Sequence, residues 1–511
     1  MAKRVAIIGG GSSGLCAIKA CLQESLEPTC FERSWDIGGL WRFEEHPEEG
    51  RASIYRSVII NTSKEMMCFS DFPVPEDFPN YMHSSKIMEY FRMYAQHFDL
   101  LRHIRFRTSV CRVSKRPDFA ATGQWEVVTE SEGKQEAAIF DAVLVCTGHH
   151  TEAHLPLSSF PGINNFKGNY IHSRDYKDTQ DFTDKRVVVI GIGNSGADLA
   201  VEISQTAKQV FLSTRRGAWI FNRVGPHGYP IDTILTTRTN AFLKNLLSQS
   251  MVSNSVEKHT LMAPCTFRVL DQHPTINDDL PNRIISGRVL VKPNIQEFTE
   301  TSVIFEDGTR EDIDAVVFAT GYVFSFPFLE GCVKVVENQI PLYKFVFPPD
   351  LEKPTLAFIG LIQPLGAIMP ISELQCRWAT RIFKGKQDKS PLWLRPKYVK
   401  SQRHTIQVDY IPYMDELASQ VGVKPNLLTL FLTDPKLALE VAFGPCTPYQ
   451  YRLRGPGKWD SAREAILTQR QRIIKPLQTR LVEEHPSAPT MPLFFKLVGA
   501  VAILAIGFAY F

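Results

Sequence analysis

Gly9, Gly10, Gly11 and Gly14, with Ser12 and Ser13 among them, follow the apolar run RVAII at residues 4 to 8 and precede the helix-compatible LCAIKACLQE. This spacing suits dinucleotide binding. Gly9 permits a tight turn, Gly11 lets backbone approach a pyrophosphate, and Gly14 lets the helix close on the strand. The helix N-terminus offers amide donors to phosphate. Glu32 stands 18 residues after Gly14, at the end of the strand-like PTCF, where a carboxylate accepts hydrogen bonds from ribose hydroxyls. The pattern returns at KRVVVI, residues 185 to 190, followed by Gly191, Gly193, Asn194, Ser195 and Gly196, then by a helical run opening on Ala197 and Asp198, then by QVFL. Its closing residues differ. Thr214 lies 18 residues after Gly196, inside the sequence Ser213, Thr214, Arg215, Arg216. A carboxylate there would repel a 2'-phosphate, whereas arginine binds it through charge-assisted hydrogen bonds. The first unit therefore suits FAD and the second NADPH. Either arginine alone could instead be a solvated surface residue, so the pair ranks above its members.

These residues require strand, turn and helix elements to hold them, and the chain provides those twice. DAVLVCTG, ending in Thr147 and Gly148, is echoed by DAVVFATG at 314 to 321, and each follows an alternating, hairpin-like stretch, the second with an Asp307-Gly308 turn. The expected fold class is α/β, with two Rossmann-like dinucleotide-binding domains, the NADP domain inserted in a discontinuous FAD domain, and a C-terminal transmembrane helix. The expected boundaries are 1–150 for the first part of the FAD domain and 151–329 for the NADPH domain, including an inserted segment at about 217–290. The second part of the FAD domain covers 330–445, a membrane-proximal region 446–491, and a tail anchor 492–511.

With 57 Lys and Arg against 54 Asp and Glu among 511 residues, the net charge of +3 argues against a polyanion-binding protein, and no nucleic-acid partner is expected. A hydrophobic share of 44% and an aromatic share of 11% suffice for packed cores. The 10 cysteines are scattered, with no C-x-x-C pair and no Cys/His cluster at metal-ligand spacing, so free thiols, a reducing compartment and no metal are expected. That scatter also argues against a disulfide reductase, which needs a cysteine pair beside its flavin. No cleavable signal is read at the start. After Pro492 come 19 residues with only Lys496 charged, about 28 Å of helix against a bilayer core of about 30 Å. This reads as a tail anchor, with a buried C-terminal helix as the alternative. The body is expected on the cytosolic side, most simply at the endoplasmic reticulum, where the sequon at Asn61 would escape glycosylation. A homo-oligomer is compatible with the sequence.

FKGNYIHSRDY at 166 to 176, immediately before the second glycine loop, carries the F-x-G-x-x-x-H-x-x-x-[YF] linker, and by it the chain resembles the flavin-containing monooxygenases over nearly its whole length. FERSWDIGGLWRF, the loop Asn61-Thr62-Ser63, ATGY at 319 to 322 and the apolar tail resemble that family's microsomal members. MMCFSDFP, STRRGAWI, HPTINDDLPNRI and SQRHTIQ are most similar to its type 5 branch. The resemblance implies hydride transfer from NADPH to FAD, a C4a-hydroperoxyflavin, and insertion of one oxygen atom from O2 into small lipophilic substrates. It implies Asn61 as the active-site amide, with Thr62 beside it; a turn-forming asparagine is the lesser alternative. Leu40 and Trp41 would contact FAD, and Ser195, Gly196, Ala197 and Asp198 would open the NADP-binding helix. His172 would anchor the linker rather than exchange protons with substrate.

Substrate class divides between N- and S-oxygenation and Baeyer-Villiger oxidation of ketones and aldehydes, toward which the type 5 branch tends. His273 occupies a position where other branches carry an acid, and would alter peroxide protonation there; a surface-loop histidine is the alternative. Residues 250 to 272 and 385 to 400 depart from the family pattern and look shorter. An NADPH oxidase releasing hydrogen peroxide, or an impaired, membrane-tethered nucleotide-binding protein, are the rival readings.

Overall fold

Val5, Ala6, Ile7 and Ile8 are buried without alternation along strand Arg4–Ile8, the pattern of a parallel strand covered on both faces. The computed structural model describes residues 2–48, 50–246, 274–329, 331–386 and 405–479. Within them Arg4–Ile8 is the centre of a five-stranded parallel sheet ordered Leu356–Phe358, Ala142–Val145, Arg4–Ile8, Glu27–Phe31, Ile104–Arg105. A second parallel sheet has the same plan: Val289–Lys292, Gln209–Ser213, Arg186–Ile190, Ala315–Phe318, Asn169–His172. In each, the strand feeding a glycine loop is central, flanked by the strand ending in Thr-Gly and by the strand completing the strand–helix–strand unit. The architecture is mixed α/β.

The second sheet lies in sequence between two strands of the first, because Leu356–Phe358 returns to pair with Ala142–Val145. The two chain crossings meet as an antiparallel pair, Glu152–Ala153 against Tyr322–Val323. Both expected hairpins form. Trp125–Ser131 pairs with Lys134–Phe140 and with Ser109–Lys115, and Ser302–Phe305 pairs with Arg310–Asp312 and with Ile295–Phe298.

The largest core joins the first sheet to helix Ser12–Gln23 and to helix Ile368–Lys384, which packs across it. A buried ionic cluster crosses this contact: Arg452 bonds Glu373 (2.6 Å) and pairs with Asp71 (3.0 Å), which also pairs with Lys19. Near-complete burial of these charges demands mutual neutralisation, since an isolated one would be strongly disfavoured. A second core lies under helix Asn194–Ile203 of the second sheet. Among the described residues no helix is long and apolar enough to cross a membrane. The expected anchor at 492–511 lies outside them, as do residues 250 to 272 and most of 385 to 400.

Candidate functional site

The first glycine loop has the geometry that its spacing demands. Gly9 has φ +104°, and a β-carbon there would stand 2.7 Å from the Cys146 carbonyl oxygen; one on Gly14 would stand 2.0 Å from that of Gly9. No side chain is admissible at either position. Helix Ser12–Gln23 begins at Gly11 with no side-chain cap and no acidic residue in its first turn, so its leading amides face outward as anion donors. Glu32 Oε2 accepts from Gly10 N (2.7 Å), and Oε1 accepts from Ser34 N (2.9 Å) and Ser34 Oγ (2.6 Å). A carboxylate has about four acceptor sites, so Oε2 retains capacity for a hydroxyl. Leu40 and Trp41 sit half-buried on the short helix Gly39–Trp41, whose Gly39 approaches Gly11. Thr147 and exposed Gly148 follow the neighbouring strand Ala142–Val145. Uncapped helix, side-chain-free glycine turn and residual acceptor together fit the diphosphate and ribose of a flavin dinucleotide.

The second loop repeats this geometry. Gly191 has φ +107°, and a β-carbon on Gly196 would stand 1.9 Å from the Gly191 carbonyl oxygen. Gly193 N-caps helix Asn194–Ile203 with no side-chain cap, leaving Ser195, Gly196 and Ala197 in its first turn. Asn194 and Asp198, however, are engaged by protein. Asn194 Oδ1 accepts from Ile276 N (2.8 Å), while Asp198 accepts from Asn277 Nδ2 (2.7 Å) and from the Tyr55 hydroxyl. Burial raises the Asp198 pKa, with the Tyr55 hydrogen bond opposing. Ser213, buried, donates to the Pro293 carbonyl (2.8 Å), and Thr214 Oγ1 accepts from Gly217 N (3.0 Å). These hydroxyls shape the turn, and Arg215 and Arg216 project from it exposed.

Asn61, Thr62 and Ser63 lie where the inserted segment reaches back to the first unit. Arg223 Nη2 donates to Asn61 Oδ1 (2.6 Å), and Arg223 is itself held by Asp278 through Nη1 and the main-chain N–H, both at 2.7 Å. Ser63 N donates to Asp232 Oδ2 (2.7 Å), and burial raises the Asp232 carboxyl to about 6. Its Oδ1 is sealed from solvent and has no hydrogen-bond partner among the described residues. Sequence reasoning missed Arg223, Asp232 and Asp278; the one available signal was the clustering of polar residues in NDD at 277 to 279. His273 lies outside the described residues. His172 bridges the crossing: its Nδ1 accepts from Arg174 N (3.1 Å), so Nε2 carries the proton and donates to the Gly321 carbonyl (3.0 Å). Burial lowers its pKa, consistent with a neutral, anchoring imidazole.

A family model described as flavin-binding monooxygenase-like matches residues 2–511. The chain belongs to that family. This monooxygenase is 63% identical to flavin-containing monooxygenase 5 of Oryctolagus cuniculus, covering 100% of this chain and 99% of that one, and 64% identical, with the same coverage, to its namesake in Homo sapiens. It is 53% identical to dimethylaniline monooxygenase (N-oxide-forming) 2 of Mus musculus, covering 99% and 98%. The rabbit alignment spans 530 positions against 511 residues here, so at least 19 positions of that relative have no counterpart. Its fold resembles the structure of S-allyl-L-cysteine S-oxygenase from Allium sativum, with TM-score 0.63, 24% identity, and coverage of 93% of this chain and 99% of that one. It also resembles an open crystal structure of cyclohexanone monooxygenase, with TM-score 0.55, 17% identity, and coverage of 75% and 88%. The protein is thus a flavin-dependent monooxygenase, acting with oxygen on a substrate.

Proposed function

We propose that the protein is an FAD- and NADPH-dependent monooxygenase that transfers one atom of O2 to small lipophilic substrates, inserting it beside the carbonyl of ketones and aldehydes or adding it to nitrogen and sulfur centres. The observation that carries this reading is Asn61, an amide on a loop of the first unit gripped by Arg223 of the second. Bound FAD supplies the electron and oxygen chemistry, and NADPH supplies the hydride. The residues around them bind, orient and shield. Gly9, Gly10, Gly11, Ser12, Ser13 and Gly14 would cradle the FAD diphosphate and Glu32 its ribose, with Leu40, Trp41, Thr147 and Gly148 bordering the flavin. Gly191, Gly193, Ser195, Gly196 and Ala197 would hold the NADPH diphosphate, and Arg215, backed by Arg216, the 2'-phosphate. Asn194, Asp198, Ser213 and Thr214 would shape that pocket from behind. Asn61, with Thr62 beside it, would donate an N–H toward the reacting oxygen or the nicotinamide amide, while His273 would bear on proton placement. The apolar run at 492 to 511 supports a tail anchor, and we place the body on the cytosolic face of the endoplasmic reticulum, as a monomer or homo-oligomer.

The test is stoichiometric. Detergent-purified, FAD-loaded protein receives NADPH and O2 with either a methyl ketone or a dialkyl sulfide, and NADPH loss, hydrogen peroxide and oxygenated product are measured together. Ester or sulfoxide matching NADPH loss supports the reading and chooses the substrate class. Hydrogen peroxide accounting for all NADPH, with no product, refutes it in favour of an oxidase. Asn61→Ala is expected to keep its flavin while most NADPH oxidation becomes peroxide release; coupling equal to wild type would remove Asn61 from the mechanism.

A further inference from the structure

Resting on the role given to Asn61, we infer that Arg223 is the positioning residue that fixes which end of the Asn61 carboxamide faces the reaction. The two ends of an asparagine side chain have nearly the same shape and opposite hydrogen-bonding character, so neighbours decide its orientation. A guanidinium has five donors and no acceptor. Arg223 Nη2, at 2.6 Å, therefore can hold only Oδ1, and this turns Nδ2 away from it. Among the described residues Nδ2 has no hydrogen-bond partner, so it remains free to donate. Were the carboxamide reversed, an oxygen would face the reacting centre and the donor would be lost.

Arg223 is fixed on several sides. Asp278 takes both its main-chain N–H and Nη1, leaving the arginine side chain 12% exposed. The Arg223 carbonyl accepts from the Tyr81 hydroxyl (2.8 Å) and from Ile231 N (2.8 Å). The guanidinium thus meets Asn61 at a set angle and cannot follow a reversed amide. A charge-assisted hydrogen bond of this kind favours one orientation by about 10- to 100-fold, enough to make the donor-outward state dominant.

The experiment compares Arg223→Gln, Arg223→Lys, Asn61→Ala and the double variant Asn61→Ala/Arg223→Gln in the full-length, FAD-loaded protein, with a sulfide as substrate. Glutamine both donates and accepts, so it tolerates either amide orientation; lysine only donates. Readouts are peroxide released per NADPH oxidised, flavin content, and KM for NADPH. The expected result is that Arg223→Gln raises the peroxide fraction several-fold, with flavin content unchanged and KM for NADPH within about threefold. Arg223→Lys should restore much of the coupling, and the double variant should match Asn61→Ala, because Arg223 acts through that amide. If lysine uncouples as fully as glutamine, or if the double variant is clearly worse than Asn61→Ala, the inference is overturned. If Arg223→Gln loses flavin, Asp278→Asn replaces it; wild-type coupling in that variant, whose arginine has lost its ionic anchor, also overturns the inference. Normal coupling in Asn61→Ala would instead fault the role of Asn61, an outcome distinct from failure of the arginine variants alone.

Discussion

Replacing Arg215 separates cofactor choice from folding. Arg215 and Arg216 are exposed at the end of strand Gln209–Ser213, and neither has an ion pair among the described residues. The turn carrying them is fixed by other contacts, Ser213 to Pro293 and Gly217 to Thr214. Substitution of Arg215 should therefore change stability by no more than about 0.5 kcal/mol. A charge-assisted pair with a 2'-phosphate contributes about 1.5–3 kcal/mol, so Arg215→Ala should lower kcat/KM for NADPH by roughly 10- to 150-fold. NADH, which lacks that phosphate, should be nearly unaffected. Arg215→Glu should invert the preference, because two like charges about 4 Å apart near a surface repel by about 1–4 kcal/mol. The assay is steady-state oxidation of each nucleotide at low and moderate salt, with flavin content and melting temperature as controls. Salt should shrink the difference, since the contact is exposed. If Arg216 shares the phosphate, the single variant will show the lower end of the range and the double variant the upper end. An unchanged NADPH-to-NADH ratio in the Arg215→Ala/Arg216→Ala double variant would refute the assignment.

Gly14→Ala forces a β-carbon to 2.0 Å from the Gly9 carbonyl oxygen, so it should purify without flavin. Gly196→Ala, with the corresponding distance 1.9 Å, should keep its flavin yet fail to be reduced by NADPH; absorbance spectra check both, and matching losses of flavin would show that the loops do not serve separate cofactors. Glu373→Gln should destabilise by about 3–5 kcal/mol at pH 7, as removal of one member of a buried ionic cluster does. Desolvation raises the Glu373 pKa, but Arg452, Lys19 and Arg377 outweigh it and hold the carboxyl down to about 2. Its stabilisation is thus present above the ordinary 4.5 and lost as pH falls from there toward 2, so the wild-type advantage in melting temperature should narrow in that window; a variant melting like wild type at pH 7 contradicts this. Asp232 behaves oppositely. Burial raises it from 3.8 to about 6, so its contribution is full below 3.8 and is lost as pH rises through 6. Asp232→Asn should gain at most about 3 kcal/mol at pH 8 and little at pH 4, and a lower melting point at pH 8 would count against the assignment.

The two sheets were legible in the sequence because their signals are local and geometric. Gly9 and Gly14, or Gly191 and Gly196, meet within one turn of chain, so five residues of spacing already encode the contact that forbids a side chain. The paired echoes ending in Thr-Gly likewise encode strands that lie beside the central one in both sheets. Side-chain partnership was less legible. Asp198 and Ser213 belong to the expected stretch, yet their polar atoms are taken up by Tyr55, Asn277 and Pro293. Residue type alone does not distinguish a group that meets a ligand from one that braces the loop behind it. Arg223 and Asn61 are 162 positions apart, and Ser63 and Asp232 are 169 apart. Nothing periodic links such pairs, and only the folded chain brings them together.

These long-range contacts share one place, and that placement explains why oxygen use should depend on residues remote from either glycine loop. The segment at 51 to 63 belongs in sequence to the first unit, where Arg51 pairs with Glu44 (2.5 Å) and Ile60 N donates to the Met82 carbonyl (3.0 Å), and it is bonded to the second as well. Arg174 donates to the Arg51 carbonyl (3.0 Å), Lys177 to Ser53 and to the Ile54 carbonyl, Ser57 to Glu202 (2.6 Å) and Tyr55 to Asp198. Arg223 and Asp232 complete the grip at Asn61 and Ser63. Arg174 also follows His172, whose ring closes the crossing at Gly321. A shift of the second unit that left this loop behind would break several of these bonds at once. The loop bearing Asn61 is thus tied to both units. On the proposed function, a nucleotide that repositions the second unit would bear on Asn61 through these bonds, which would link hydride delivery to oxygen handling.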